Sequence, residues 1–363
     1  MNQHRLYTPG PTPVPDRVLK KMSEQILYHR GQEFREIFAR VNENLKYLFR
    51  TGQPVLTLAC SGTGGMEATF VNLFLPGDKI ISVNGGKFGE RWVAMPRTLG
   101  LNVAEIKLKW GEAPSKEQIV SALKENPEVK AVYLTHCETS TGTATDVKRL
   151  AKVIRENSDA LICVDGISAV GGIEFHFDEW GVDACVTASQ KGLMTPPGLA
   201  FIALSSRAIE RLQSSALPRY YFDLTKALTA FMKNDSPWTP AISLVTALDE
   251  ALIMIREEGI ENVWERHSRL AGAVRSGIKD LGLKILSDHP SDTVTAVLLP
   301  SGIEWARFSD ILTNKYRCVV GKGQGEYIGK LFRIGHIGYY HDAGIKTLMS
   351  CLEKTLIECG IRL

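Results

Sequence analysis

Between residues 55 and 204 the chain repeats one unit: a short apolar run, a turn, then a stretch with helical spacing. The apolar runs are Val55-Leu-Thr-Leu-Ala, Lys79-Ile-Ile-Ser-Val, Ala104-Glu-Ile-Lys-Leu, Val129-Lys-Ala-Val-Tyr-Leu-Thr-His, Ala160-Leu-Ile-Cys-Val-Asp165, Val182-Asp-Ala-Cys-Val-Thr-Ala and Leu199-Ala-Phe-Ile-Ala-Leu. Helical periodicity falls at residues 66–75, 91–99, 115–125 and 146–155. Near-continuous apolar strands alternating with helices predict an α/β domain with a mainly parallel sheet, covered on both faces. Ligands of such sheets collect beyond the C-terminal strand ends. Ser61, Phe88, Thr139, Asp165 and Lys191 all fall at or just past such ends.

The flanking regions read differently. Residues 6–15, Leu-Tyr-Thr-Pro-Gly-Pro-Thr-Pro-Val-Pro, are too proline-rich for a helix or a central strand. They predict an extended arm whose Gly10 lets backbone approach a ligand. Asp16 is placed to cap a helix over about 17–28, and a second helix is expected over 33–49. After Leu204 come an aromatic loop, Arg219-Tyr-Tyr-Phe-Asp-Leu, and a proline-marked loop, Asn234-Asp-Ser-Pro-Trp-Thr-Pro240. Two long amphipathic helices, 242–258 and 260–281, split near Gly259, and a smaller α/β unit follows. The expected division is an N-terminal arm (1–15), a large domain (16–258) and a small C-terminal domain (259–363).

Composition narrows the class. Among 363 residues 44% are apolar, 23% are charged, and the formal net charge is +3. That suits a globular protein with a sizeable core, and no Lys/Arg block suggests nucleic acid. The seven cysteines (60, 137, 163, 185, 318, 351 and 359) are scattered, without a CxxC pair. They predict free thiols in a reducing compartment. No run of eighteen apolar residues suggests a membrane span, and a cytoplasmic location is expected.

Three stretches carry chemistry. Cys60-Ser-Gly-Thr-Gly-Gly65 is a glycine-rich turn opening a helix, where backbone N–H groups and the hydroxyls of Ser61 and Thr63 gather for a phosphate. It is neither GxGxxG nor GxxxxGK[ST]. Asp165 ends a buried apolar strand. Lys191 lies in Thr187-Ala-Ser-Gln-Lys-Gly-Leu-Met-Thr-Pro-Pro-Gly198, a loop between two apolar runs. A glycine-rich turn alone more often only caps a helix, and a loop lysine alone is usually solvated. Together the three suit pyridoxal 5'-phosphate. The turn takes the phosphate, Phe88 stacks on the ring, Asp165 keeps the pyridine nitrogen protonated, and Lys191 holds the aldehyde as a Schiff base.

With these residues the chain resembles the class V, fold-type I aminotransferases, nearest to those acting on alanine or serine with glyoxylate or pyruvate. The resemblance runs through Pro9-Gly-Pro-Thr, Ser61-Gly-Thr-Gly-Gly-Met-Glu67, Asn84-Gly-Gly-Lys-Phe-Gly-Glu-Arg91, Thr135-His-Cys-Glu-Thr-Ser-Thr-Gly142, Val164-Asp-Gly-Ile-Ser-Ala-Val-Gly-Gly172, Ser189-Gln-Lys-Gly192, Thr239-Pro-Ala-Ile-Ser-Leu244 and Phe332-Arg-Ile-Gly335. It implies a large domain with a seven-stranded-type sheet. It implies that Ser61, Gly62, Thr63 and Gln190 meet the phosphate, that Phe88 stacks, and that Thr139 lies near the ring hydroxyl. Asp165 and Lys191 keep the roles just given, Arg333 binds the substrate α-carboxylate with its planar fork, and Gly10 lines the substrate. A homodimer with shared sites is implied, Thr239 reaching the neighbouring subunit's phosphate. Relatives often carry a tyrosine three residues before that threonine, and here the position is Ser236.

The implied reaction moves an amino group between a small amino acid, alanine or serine, and a 2-oxo acid, glyoxylate or pyruvate. No second arginine for a side-chain carboxylate stands out. The alternatives are a class V enzyme for aminoethylphosphonate or ureidoglycine, a cysteine desulfurase, and a non-catalytic descendant. A desulfurase needs a mobile nucleophilic cysteine and usually a histidine before the lysine. Here Gln190 holds that place and Cys318 reads as a buried strand thiol. Lys191 and Asp165 argue against a non-catalytic descendant. His29 and His136 lack partners at metal spacing, so packing or hydrogen bonding is expected for both.

Overall fold

The computed structural model describes residues 4–361. The strands in chain order are β1 (Arg5–Tyr7), β2 (Val55–Leu58), β3 (Lys79–Asn84), β4 (Asn102–Lys107), β5 (Ala131–Thr135), β6 (Cys137–Glu138), β7 (Thr143–Ala144), β8 (Leu161–Asp165), β9 (Ala184–Ala188), β10 (Ala200–Leu204), β11 (Val294–Leu298), β12 (Cys318–Lys322) and β13 (Leu331–Gly335). The helices are α1 (Asp16–Met22), α2 (Gln32–Phe49), α3 (Gly62–Leu73), α4 (Gly89–Thr98), α5 (Lys116–Glu125), α6 (Val147–Asn157), α7 (Ser206–Leu212), α8 (Leu224–Phe231), α9 (Ile242–Glu258), α10 (Ile260–Asp280), α11 (Trp305–Asp310) and α12 (Asp342–Glu358). No helix among the described residues is long and apolar enough to cross a membrane.

Seven strands form one sheet in the order β2-β10-β9-β8-β5-β3-β4. Only β10 runs against its neighbours; the others share a direction. Side chains alternate between the two faces, so each strand feeds two cores. Val132 and Leu134 of β5, with Ile162 and Val164 of β8, pack among α2, α5, α6 and α9. Ala131, Tyr133, Leu161 and Cys163 pack on the other side against α3, α4, α7 and α8. By the same alternation Asp165 emerges on the α3–α4 side. The parallel strands end together, which brings the loops after β3, β5, β8 and β9 to one rim.

A second sheet, β1-β12-β13-β11, is covered on one face by α10 and α12, with Leu270, Val274, Leu348 and Leu352 meeting Val320, Phe332 and Ile334. Its edge strand β1 comes from the N-terminal arm, pairing Arg5–Tyr7 with Cys318–Val320. On β13, Phe332 and Ile334 fill this core. Arg333 between them therefore points the opposite way, toward the large sheet.

Local departures from the sequence expectation have physical reasons. Helix α1 stops at Met22, because Val18 is its only buried residue while Ile26 and Tyr28 beyond it are 59% and 71% exposed. Pro15 is its N-cap and makes no side-chain bond; Asp16 is already helical. Helix α3 starts at Gly62 rather than Met66, so the glycine-rich turn is itself the first helical turn. Helix α11 continues directly into a π-helical turn, Ile311–Lys315. Gly259, at φ 83°, separates α9 from α10.

Candidate active site

Asp165 closes β8 and is 3% exposed. Its Oδ1 accepts from the Ile167 amide (2.9 Å) and its Oδ2 from Trp92 Nε1 (3.2 Å). Burial pushes its carboxyl up to about 6. The two donors and the Lys191 charge oppose that rise, and the charge of Glu138 adds to it. A carboxylate offers about four acceptor directions, so two donors leave room for a third on the cleft side.

Lys191 follows β9 by three residues. Ser189 pins the base of its loop: its amide donates to Leu199 O (3.0 Å), its Oγ donates to Pro196 O (2.7 Å), and its carbonyl accepts from the Thr195 amide (3.0 Å). The lysine is 8% exposed, and Nζ donates to Pro9 O at 2.6 Å. The N-terminal arm thus lies across the amine. Gly10 has φ 148°, and a Cβ there would sit 2.5 Å from Nζ, so a larger residue requires the lysine tail or the arm to move. Burial lowers the Lys191 pKa to about 8. Arg333 and Arg91 push the same way, while Cys137 and Asp165 oppose.

Arg333 reaches over from β13 and is 8% exposed. Nη1 donates to Thr139 O (3.2 Å) and Nε to Lys322 O (3.0 Å). Nη2 has no hydrogen-bond partner among the described residues. Burial lowers its pKa to about 10 against the field of Glu138. Lys191 feels both Asp165 and Arg333, so the topology brings three residues 26 to 168 positions apart into one neighbourhood.

Of the other expected residues, Thr139 meets Arg333, and Thr63 and Phe88 meet Arg91, whose charge reaches Lys191. Ser61 caps α3, its Oγ accepting from the Gly64 amide (3.4 Å). The free amides of this first turn form a positive helix end. Thr63 Oγ1 accepts from Arg91 Nη1 (3.0 Å), and the Arg91 guanidinium lies 4.8 Å from the Phe88 ring centre. Phe88 is half-buried at the N-cap of α4. Thr139 is 3% exposed and donates from Oγ1 to Ser168 Oγ (2.7 Å). The side-chain oxygen of Gln190 is buried without a partner beside Lys191, leaving unspent hydrogen-bonding capacity in the cleft. Thr239 stands apart, exposed on the loop before α9. Ser236 is buried in that loop and donates to Trp238 O (2.6 Å), so its hydroxyl is used within its own chain.

Sequence reasoning missed Trp92, Arg91 and Glu138. Trp92 follows Phe88 by four residues, the spacing that puts two helical side chains on one face. Glu138, like Asp165, is a carboxylate just past a buried strand. Cys318 is fully buried on β12, and burial pushes its thiol up to about 12, the opposite of a nucleophile. His136 is 4% exposed against Phe175 and Trp180, and burial lowers its pKa to about 4, so the ring is neutral.

The geometry fits pyridoxal phosphate: a buried carboxylate with spare acceptor capacity, a buried amine of lowered pKa, and a capped helix end packed at Gly62 against Ile167 and Ala188. Comparison with known proteins agrees. A family model described as aminotransferase class-V matches residues 5–328. The chain is 38% identical over 359 residues to a protein named soluble hydrogenase 42 kDa subunit from Anabaena cylindrica, covering 98% of this chain and 94% of that one. It is 35% identical over 368 residues to the L-aspartate–glyoxylate aminotransferase of Paracoccus denitrificans, covering 99% and 93%. The solved alanine–glyoxylate aminotransferase of Nostoc sp. superimposes with a TM-score of 0.93 at 32% identity, covering 98% of this chain and 95% of that chain. This chain belongs to the class V aminotransferases, enzymes that work with pyridoxal phosphate.

Proposed function

We propose that this aminotransferase moves the amino group of alanine or serine to glyoxylate or pyruvate, with pyridoxal phosphate held between Asp165 and Lys191. The observation behind this is the convergence on Lys191, a buried amine within the charge fields of a buried carboxylate, Asp165, and a buried guanidinium, Arg333. When bound, the cofactor supplies an aldehyde for the amino group and a ring that spreads the charge left at the substrate Cα. Asp165 holds a proton at the pyridine nitrogen. Lys191 Nζ, its pKa lowered by burial toward the physiological range, accepts the Cα proton. The planar fork of Arg333 orients the α-carboxylate. Ser61, Gly62, Thr63 and Gln190 would hold the phosphate, Phe88 would flank the ring, and Thr139 would meet the ring hydroxyl. The arm at Pro9–Gly10 excludes water above Lys191.

In this reading the enzyme works as a homodimer. Exposed Thr239 serves the partner subunit's phosphate, and Ser236, tied to Trp238, takes no part.

Aspartate is a second candidate donor. Arg91 is a guanidinium beside Phe88 that influences Lys191, and it provides the second cation that a side-chain carboxylate needs. The Paracoccus relative is named for aspartate. The test is turnover of glyoxylate and pyruvate with alanine, serine, aspartate and aminoethylphosphonate in turn. The proposal expects alanine or serine to lead by kcat/KM. A leading aspartate moves the assignment to the second candidate, and no turnover with any donor contradicts both.

A further inference from the structure

Glu138 ends β6, is 4% exposed, and has no task in the reading above. Its partners are neutral donors. Oε2 accepts from the amides of Gly89 (2.8 Å) and Phe88 (3.1 Å). Oε1 accepts from the Ser140 amide (3.0 Å) and from Ser140 Oγ (2.5 Å). Ser140 Oγ accepts in turn from the Lys87 amide (3.0 Å). Donors face both oxygens, an arrangement that suits an ionised carboxylate and no other side chain of that shape. The Phe88 and Gly89 amides also stand at the positive end of α4. Burial pushes the Glu138 carboxyl up, and these donors pull it back.

The contact is closed over its whole length. A Cβ on Gly86 would lie 2.4 Å from Ser140 Oγ and 2.7 Å from Glu138 Cδ. The loop between β3 and α4 therefore rests directly on this carboxylate. The next residue, Thr139, receives Arg333 through its carbonyl. Two consecutive residues hold both the aromatic wall and the carboxylate fork.

We propose that Glu138 is a positioning residue of the reaction, fixing the Phe88 wall of the cofactor cleft from behind and in register with Arg333. It acts through Phe88 and touches neither ring nor substrate. The inference rests on the reading of the cleft given under Proposed function.

Glu138→Gln tests it with little change of shape. Whichever way the amide turns, its NH2 meets donors, either the Phe88 and Gly89 amides or the Ser140 amide and hydroxyl. In the holoenzyme we expect kcat to fall at least tenfold, the visible circular dichroism of the bound cofactor to change, and thermal unfolding to stay within a few degrees. Added to Phe88→Ala, the same change is expected to cost less than a further twofold, because the wall it positions is already gone. Wild-type kcat and dichroism in the Gln variant, or losses that multiply in the double variant, would overturn the proposal. If Glu138→Gln does not fold, Ser140→Ala removes one donor only. It should shift the same dichroic band more weakly, and an unchanged band and kcat would count against the proposal. A wild-type enzyme that neither binds cofactor nor transaminates removes the underlying reading. An active wild type with an indifferent Glu138→Gln variant removes only the role of Glu138.

Discussion

Gly10→Ala isolates the closest contact between the N-terminal arm and Lys191. The added methyl would stand 2.5 Å from Nζ, 2.6 Å from Cε and 2.8 Å from Cδ. Non-bonded carbon atoms settle at roughly 3.5–4 Å, so the lysine side chain or the arm must retreat by about 1 Å. The backbone adds strain, because φ 148° is a conformation that side-chain-bearing residues rarely adopt, at about 1–3 kcal/mol. A displacement of about 1 Å at a reacting group costs on the order of 10²-fold in rate. We therefore expect kcat for amino transfer to fall on the order of 10²-fold at saturating cofactor, with the protein still folded. Gly100→Ala is the control: φ is +81° there and nothing lies within 4 Å of the added Cβ. It carries backbone strain without the contact, and should lose a little thermal stability and keep its rate. A Gly10→Ala enzyme within threefold of wild type would refute the claim that the arm and the amine share this space. Equal rate losses in both variants would assign the effect to strain alone.

Two further predictions follow from the charges. Arg333→Lys keeps the cation and loses the fork. A charge-assisted bond of about 1.5–3 kcal/mol translates to a rise in amino-acid KM of roughly 10- to 100-fold, and a KM within twofold of wild type would contradict the assigned role. Lys191, lowered to about 8 by burial, should acylate in the cofactor-free protein with a rate that rises through pH 8 and levels off by about pH 9; a rate still climbing past pH 10 would contradict it. The signs for stability follow the same shifts. The Lys191 contribution is full above its ordinary 10.5 and is lost as pH falls through about 8. The raised Asp165 contributes fully below its ordinary 3.8, and that contribution is lost as pH rises through about 6.

Much of the site was legible because strand alternation fixes direction as well as position. Asp165 shares parity with Leu161 and Cys163, which places it on the α3–α4 face. Arg333 sits between Phe332 and Ile334, which turns it away from the small core. Periodicity was blind where the signal lay in single polar residues. From sequence, nothing is assigned to residues 225–231, which form most of helix α8, although the Asp223 side chain caps it by accepting from the amides of Thr225 (3.0 Å) and Lys226 (3.1 Å). The start of α3 was placed four residues late because Gly62, Gly64 and Gly65 resemble a turn by composition. Trp92, Arg91 and Glu138 escaped because their partners lie 28 to 73 residues away in the chain. Such pairings depend on which loops the sheet order brings to one rim, and no local pattern records that order.

The most direct test reduces the cofactor-loaded enzyme with borohydride, digests it, and locates the modified peptide by mass spectrometry. The account predicts a pyridoxyl phosphate adduct on Lys191, in the segment after β9, and nowhere else in comparable yield. An adduct on a different lysine, or a protein that takes up no cofactor at all, would contradict it.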